Sequence, residues 1–351
     1  MNNIIAIFDS SHDAPEEIIM AAGKIPYKIL GDVHTSTTPA DQYLFETFCP
    51  AARSFLTEAL SSSENWDGIV AAHGCDATHR HFDIWKKHVK IPFLHYVNNP
   101  FSRVSKSSRK FYKIELQTLI QALEEQYSVQ ITTEKLKHAI SISNQVKSLL
   151  QKLGKLRESK DIPNREYFEI CKKAVQEDKA DLISELQQTL EIWKDRPTFP
   201  KGYAKIMLTG SDVTFPEFMD ILEKAKLRVV RDDLSIGERY YAALIPDFDD
   251  PIDAIIEYQY LIPRPSTKHP SNPRLDYIFE AYFESKVDGI LSQNLKFCED
   301  YAYDSVWLSD TFKEKGIPSI HLERDFIAED QQLFTRLEAF RELLKTQEAL
   351  K

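Results

Sequence analysis

Short apolar runs alternate with amphipathic stretches through the first hundred residues. Ile4–Phe8, Tyr27–Leu30, Ile69–Ala72 and Phe93–Val97 read as strands, with a helix opening at Pro15-Glu16-Glu17 and another over Ala51–Leu60. Pro15 presets the backbone for a first helical turn, the two carboxylates behind it suit the positive end of the helix dipole, and Gly23 is a stop. Alternation of this kind predicts parallel strands joined by crossover helices. From Ser107 to Lys194 the spacing becomes helical, with a break at Pro163 and a helix entry at Thr132-Thr133-Glu134. Arg196-Pro197-Thr198-Phe199-Pro200-Lys201-Gly202 punctuates the chain. Strand and helix patterns then resume: Ala204–Leu208, Phe215–Ala225, Arg228–Val230, Arg274–Ser285, Gly289–Leu291, Ser305–Lys315 and Ser319–Leu322. Asp330–Leu350 reads as one long helix with Leu333, Leu337, Phe340 and Leu344 on one side. The expectation is an α/β chain of two parallel-sheet units, residues 1–106 and 201–351, joined by a helical segment, 107–200, and closed by the C-terminal helix.

Composition narrows the function classes. At 351 residues and 42% hydrophobic, the chain can bury ordinary cores, and no stretch approaches a membrane span. The start, Met1-Asn2-Asn3-Ile4, lacks a basic region and a long apolar core, so a cytoplasmic protein is expected. A net charge of -10 argues against nucleic acid as a partner, because neutralising phosphates needs a basic surface. The basic run Arg103–Lys113 reads as a solvated helix face.

Four cysteines make a poor disulfide framework, and no spacing matches a zinc motif. Three sit at the ends of apolar runs beside turn or helix signals: Phe48-Cys49-Pro50, Gly74-Cys75-Asp76 and Phe297-Cys298-Glu299. Any ligand they share must be gathered by the tertiary fold. Cys171, in Tyr167-Phe168-Glu169-Ile170-Cys171-Lys172, reads as a packing residue. Ser10, Ser11 and His12 follow the first strand and are candidate proton-handling groups, with turn or cap roles as the bland alternative. His73 reads first as a hydrogen-bonded histidine beside Cys75, and Arg239 as a partner of Asp232 or Asp233.

Several phrases in series resemble the 2-hydroxyacyl-CoA dehydratase and benzoyl-CoA reductase family. They include Ala14-Pro15-Glu16-Glu17, Gly74-Cys75-Asp76, Leu208-Thr209-Gly210-Ser211, Val230-Arg231-Asp232-Asp233, Lys296-Phe297-Cys298 and His321-Leu322-Glu323-Arg324-Asp325. The resemblance implies two Rossmann-like domains and a [4Fe–4S] cluster held between them by three cysteines, here Cys49, Cys75 and Cys298. It further implies a homologous second subunit, an acyl-CoA substrate and an electron from a separate ATP-dependent Fe–S activator, since this chain has no GxxxxGK[ST] loop. The implied chemistry is elimination of water from a 2-hydroxyacyl thioester through a ketyl radical. Many relatives carry cysteine where Ser235 stands, and the third ligand is assigned here to Cys49. The alternatives are ring reduction of a benzoyl thioester, a cluster-free partner or binding subunit of the same fold, and a zinc-stabilised scaffold.

Overall fold

The computed structural model describes residues 3–9, 12–102, 104–328 and 331–349. The first third runs β1 (Ile4–Phe8), α1 (Glu16–Ala21), β2 (Ile25–Lys28), α2 (Thr38–Asp41), α3 (Pro50–Ser62), β3 (Gly68–Ala72), α4 (Asp76–His88) and β4 (Leu94–Val97). Four helices follow: α5 (Lys106–Tyr127), α6 (Thr133–Leu156), α7 (Asn164–Gln176) and α8 (Lys179–Lys194). The rest comprises β5 (Ala204–Gly210), α9 (Glu217–Lys224), β6 (Leu227–Asp233), α10 (Glu238–Tyr241), α11 (Pro251–Leu261) and α12 (Asn272–Glu284). It ends with β7 (Gly289–Leu295), α13 (Glu299–Glu314), β8 (Ser319–Arg324) and α14 (Gln331–Ala349).

Each half builds a four-stranded sheet, in the orders β2-β1-β3-β4 and β6-β5-β7-β8, and every pairing is parallel. The inner strands β1, β3, β5 and β7 are buried almost throughout because both faces of each sheet are covered. In β1, Ile5 and Ile7 point to a core shared with Tyr112, Leu116 and Leu119 of α5, while Ala6 and Phe8 point to one shared with Leu56 of α3 and Trp85 of α4. In β5, Ile206 and Leu208 face α7, α8 and the Leu333, Leu337 and Phe340 stripe of α14; Met207 faces Ile278 of α12 and Phe312 of α13.

The long α6 ties the halves together. Leu136 and Ala139 near its start enter the core of the first sheet, and Val146, Leu150 and Leu153 enter that of the second. A second tie is polar and buried. Glu16 of α1 lies 2.8 Å from Lys179 of α8 and 3.3 Å from Lys147 of α6, and accepts from the Tyr240 hydroxyl of α10 at 2.6 Å; Glu17 lies 3.1 Å from Lys147. Burial works to raise the Glu16 carboxyl, but Lys179 and Lys147 outweigh it and hold the group well below the ordinary carboxylate range.

All eight strand positions expected from the apolar runs carry strands. Two longer helices carry no expectation from the pattern: α4, which turns only a narrow face inward through Thr78, His81 and Trp85, and α11, which is apolar nearly all round. The run Arg103–Lys113 is largely the solvated face expected of it, with Lys106 and Lys110 exposed, but two of its cations have acidic partners. Arg103 lies outside the described residues, but Lys113 pairs with Asp250 and Asp253 at 2.7 and 2.8 Å, and Arg109 pairs with Glu257 and covers the Tyr260 ring. These acids sit at and within α11, more than a hundred residues away in sequence.

Candidate functional site

In each sheet the chain leaves the central pair of strands in opposite directions, β1 to β2 and β3 to β4, and likewise β5 to β6 and β7 to β8. The carboxyl ends of such a pair open a crevice, the usual ligand position of an open parallel sheet. Asp9 follows β1, Cys75 lies three residues beyond β3, Ser211 and Asp212 follow β5, and Cys298 lies three beyond β7. These strand ends, with Cys49 from the connection after β2, line a single cavity of about 70 Å³. Phe8, Ala51, Ala52, Phe55, Ala77 and Leu295 make most of its wall apolar.

The backbone delivers all three sulfurs in the same way. Cys49, Cys75 and Cys298 are the N-cap residues of α3, α4 and α13. Pro50 opens α3, where the missing N–H costs nothing, and the Cys49 sulfur faces the N–H groups of Ala51 and Ala52. At Cys75 a reciprocal box forms: the sulfur accepts from the Thr78 backbone, and Thr78 Oγ1 accepts from the Cys75 N–H at 3.0 Å. Cys298 is preceded by Phe297 in the left-handed region, φ 62°, and its sulfur faces the Tyr301 N–H. Helix N-termini favour thiolate over thiol. Gly210 brings β5 against β7: at φ +127°, any Cβ there would stand 1.7 Å from the Gln293 carbonyl oxygen.

Burial opposes ionisation in this cavity. It pushes the Cys75 thiol up to about 12 and the Cys49 and Cys298 thiols up as well, and for Cys298 the neighbouring Cys49 adds to the effect. Burial also raises the Asp212 carboxyl to about 6, and its Oδ1 has no hydrogen-bond partner among the described residues. Soft sulfur donors at three helix N-termini, in a dry site that resists bare negative charge, fit a cationic iron–sulfur core, which deprotonates the thiols it binds. Among the described residues, no group of three His, Cys, Asp or Glu side chains could hold a metal ion. In a four-iron cluster each thiolate binds its own iron, so its sulfurs stand farther apart than the donors around a single ion.

The other candidates fall elsewhere. Ser10 and Ser11 lie outside the described residues. His12 does not line the cysteine cavity. Its Nε2 lies 2.7 Å from the Ser235 carbonyl oxygen, its ring lies 4.8 Å from that of Tyr240, and its own carbonyl accepts from Gln259. Burial, reinforced by Lys28, draws its imidazole down to about 3, so it is neutral and donates to Ser235. His73 accepts from Lys268 through its carbonyl and packs its ring against His79. Arg239 pairs with Asp233 at 3.2 Å, and Cys171 is buried in the core beside Tyr167. Asp212 and Asp300, which also line the cavity, carried no sequence signal beyond standing two residues after Gly210 and Cys298.

Paired parallel sheets with a cysteine-lined crevice between their strand ends define a class of two-sheet α/β subunit. This chain belongs to the 2-hydroxyglutaryl-CoA dehydratase, D-component family, which it matches over residues 12–344. It is 27% identical over 337 residues to the (R)-phenyllactyl-CoA dehydratase beta subunit of Clostridium sporogenes, covering 94% of this chain and 89% of that one. It is 23% identical to the lactoyl-CoA dehydratase subunit beta of Anaerotignum propionicum, with the same coverage. A benzoyl-CoA reductase subunit of Thauera aromatica is 22% identical, over 87% of this chain and 82% of that one.

Proposed function

We propose that this chain is the cluster-carrying beta-type subunit of a 2-hydroxyacyl-CoA dehydratase, with Cys49, Cys75 and Cys298 holding a [4Fe–4S] cluster. The observation that carries the reading is the convergence of three N-cap cysteines, two from one half of the chain and one from the other, on one apolar cavity. When bound, the cluster would supply one low-potential electron to a thioester, the means by which a non-acidic β-proton can be removed through a ketyl radical. The chain's own residues exclude water from it with Phe8, Phe55 and Leu295, and offer the helix N–H groups to the sulfurs. The electron would come from a separate ATP-dependent Fe–S protein. Protein purified without oxygen is expected to be brown and to carry about four irons per chain, a cluster of the four-iron type. Colourless, iron-free protein would instead favour a cluster-free partner subunit. Ring reduction of an aromatic acyl thioester would draw on the same electron supply, and the likeness to a benzoyl-CoA reductase subunit keeps that second reading specific.

The relatives are named as subunits, and a docking face for a homologous second subunit belongs to the same proposal. Helix α13, whose first turn carries Cys298, buries Tyr301, Ser305, Leu308 and Phe312 and turns Tyr303 (78% exposed), Val306 (64%) and Trp307 outward. A contiguous exposed apolar stripe of this kind is what a protein–protein contact buries. Val306→Asp is expected to abolish co-purification of the second subunit while leaving the circular dichroism of the isolated chain unchanged. Undiminished co-purification would move the interface elsewhere.

A further inference from the structure

Four arginines among the described residues are fully buried: Arg157, Arg239, Arg274 and Arg324. A guanidinium removed from water is costly unless a counter-charge accompanies it. Arg157 has Asp232 and Glu238, Arg239 has Asp233, and Arg274 has Asp233 and Asp304. Arg324 has no carboxylate at ion-pair distance among the described residues, Asp212 acting on it only from farther off. Its Nε donates to Gln293 Oε1 at 2.7 Å and its Nη2 to the Asp212 carbonyl at 2.8 Å, both neutral acceptors, and its Nη1 donates to none of them.

The side chain is nonetheless held in place. Gln293 is itself fixed by a bond from its Nε2 to the Ser211 carbonyl, and the guanidinium lies over the rings of Phe218 and Phe215, 4.9 and 5.5 Å from their centres. Its position is set by the second sheet: Arg324 pairs with Leu295 in the β7–β8 register, and its carbonyl accepts from Lys296 as the chain turns toward Cys298. Asp212, whose carbonyl it grips, lines the cysteine cavity. Burial draws the guanidinium down to about 10, and the groups that draw it back up are Cys298, Asp212 and Cys49. A fixed cation whose hydrogen bonds go only to neutral acceptors, one of them the backbone of a residue that lines a dry cavity, is a place prepared for an anion.

We propose that Arg324 is the counter-charge to a negatively charged occupant of the cysteine cavity, and that with a thiolate-held cluster in place it is the positioning residue that raises the cluster's reduction potential. The inference rests on reading the three cysteines as cluster ligands. Each thiolate and each added electron makes the occupant more negative, and in a low-dielectric site a fixed positive charge favours the reduced form. The step concerned is a one-electron transfer: the donor protein, or dithionite in its place, loses the electron that the cluster gains, and no bond is made or broken.

The test is a redox titration followed by electron paramagnetic resonance on anaerobically purified full-length protein, with iron analysis on each sample. Arg324→Gln is expected to keep its iron but become at least tenfold harder to reduce, a shift of about 59 mV to lower potential for one electron. Arg324→Lys, which keeps the charge, should fall between that value and the unaltered protein. If Arg324→Gln loses iron while Arg324→Lys retains it, the need for charge is again supported. An unchanged potential in iron-replete Arg324→Gln overturns the proposal and leaves the cluster standing, as does equal loss of iron from both variants. Iron-free unaltered protein overturns the cluster reading itself, and this inference with it.

Discussion

Cys298→Ala protein purified without oxygen is expected, on the proposed function, to lose most of its iron, and the complex rebuilt with the proposed partner subunit and electron donor to lose dehydratase turnover by more than roughly 100-fold. That figure exceeds the 10–100-fold that loss of a supporting residue costs a metal site, because the proposed ligand itself is removed. Cys298 is the most informative of the three because it alone comes from the second half of the chain. Cys49→Ala and Cys75→Ala should behave alike. Cys171→Ala is the control: the residue is buried among Leu150, Tyr167 and their neighbours, far in the chain from any strand end, and its loss should cost some stability and no iron. Iron retained in full by the Cys49 variant would remove that residue from the site.

The second large effect concerns the polar tie between the halves. Lys147→Met is expected to destabilise the protein by about 3–5 kcal/mol, the cost of stranding buried carboxylates by deleting their partner. Glu16 and Glu17 would be left with Lys179 as their only lysine among the described residues, under helices that exclude water. The sign of the pH dependence follows from Glu16, whose carboxyl is held below its ordinary value in the folded protein. Its charged form contributes stability above the unfolded carboxylate range, and that contribution fades as pH falls through and below it. The gap between the variant and the unaltered protein should therefore be widest near neutrality and narrow in acid. Lys155→Met, removing an exposed pair with Glu158, should stay within about 1 kcal/mol at every pH. Urea unfolding at several pH values checks both, and a gap that does not change with pH would count against the carboxylate account.

Much of the fold was legible because buried parallel strands are continuous apolar runs, and Ile4–Phe8 or Gly289–Leu291 can hardly be anything else between turn signals. Helix α11 was not: Ala254, Ile255, Ile256 and Tyr258 take up most of its circumference and leave only the narrow strip of Asp253 and Glu257 polar, since the helix is packed between α5, α6 and the second half. The cysteines could be singled out by their place at run ends, but their convergence is a property of which strand ends meet. Arg324 shows the limit most clearly. A charged residue at the end of a strand reads as exposed, and only the structure shows it sealed under Phe215 and Phe218 with no carboxylate at ion-pair distance among the described residues.

The two sheets repeat one wiring diagram, so that β1 to β4 correspond in turn to β5 to β8. Under that correspondence Cys75 and Cys298 are counterparts, each three residues past the third strand of its half. Cys49 has no such counterpart: the matching connection after β6 carries Ser235, whose buried Oγ has no hydrogen-bond partner among the described residues and does not line the cavity. The repeat is thus broken at one corner, with two sulfurs drawn from the first half and one from the second.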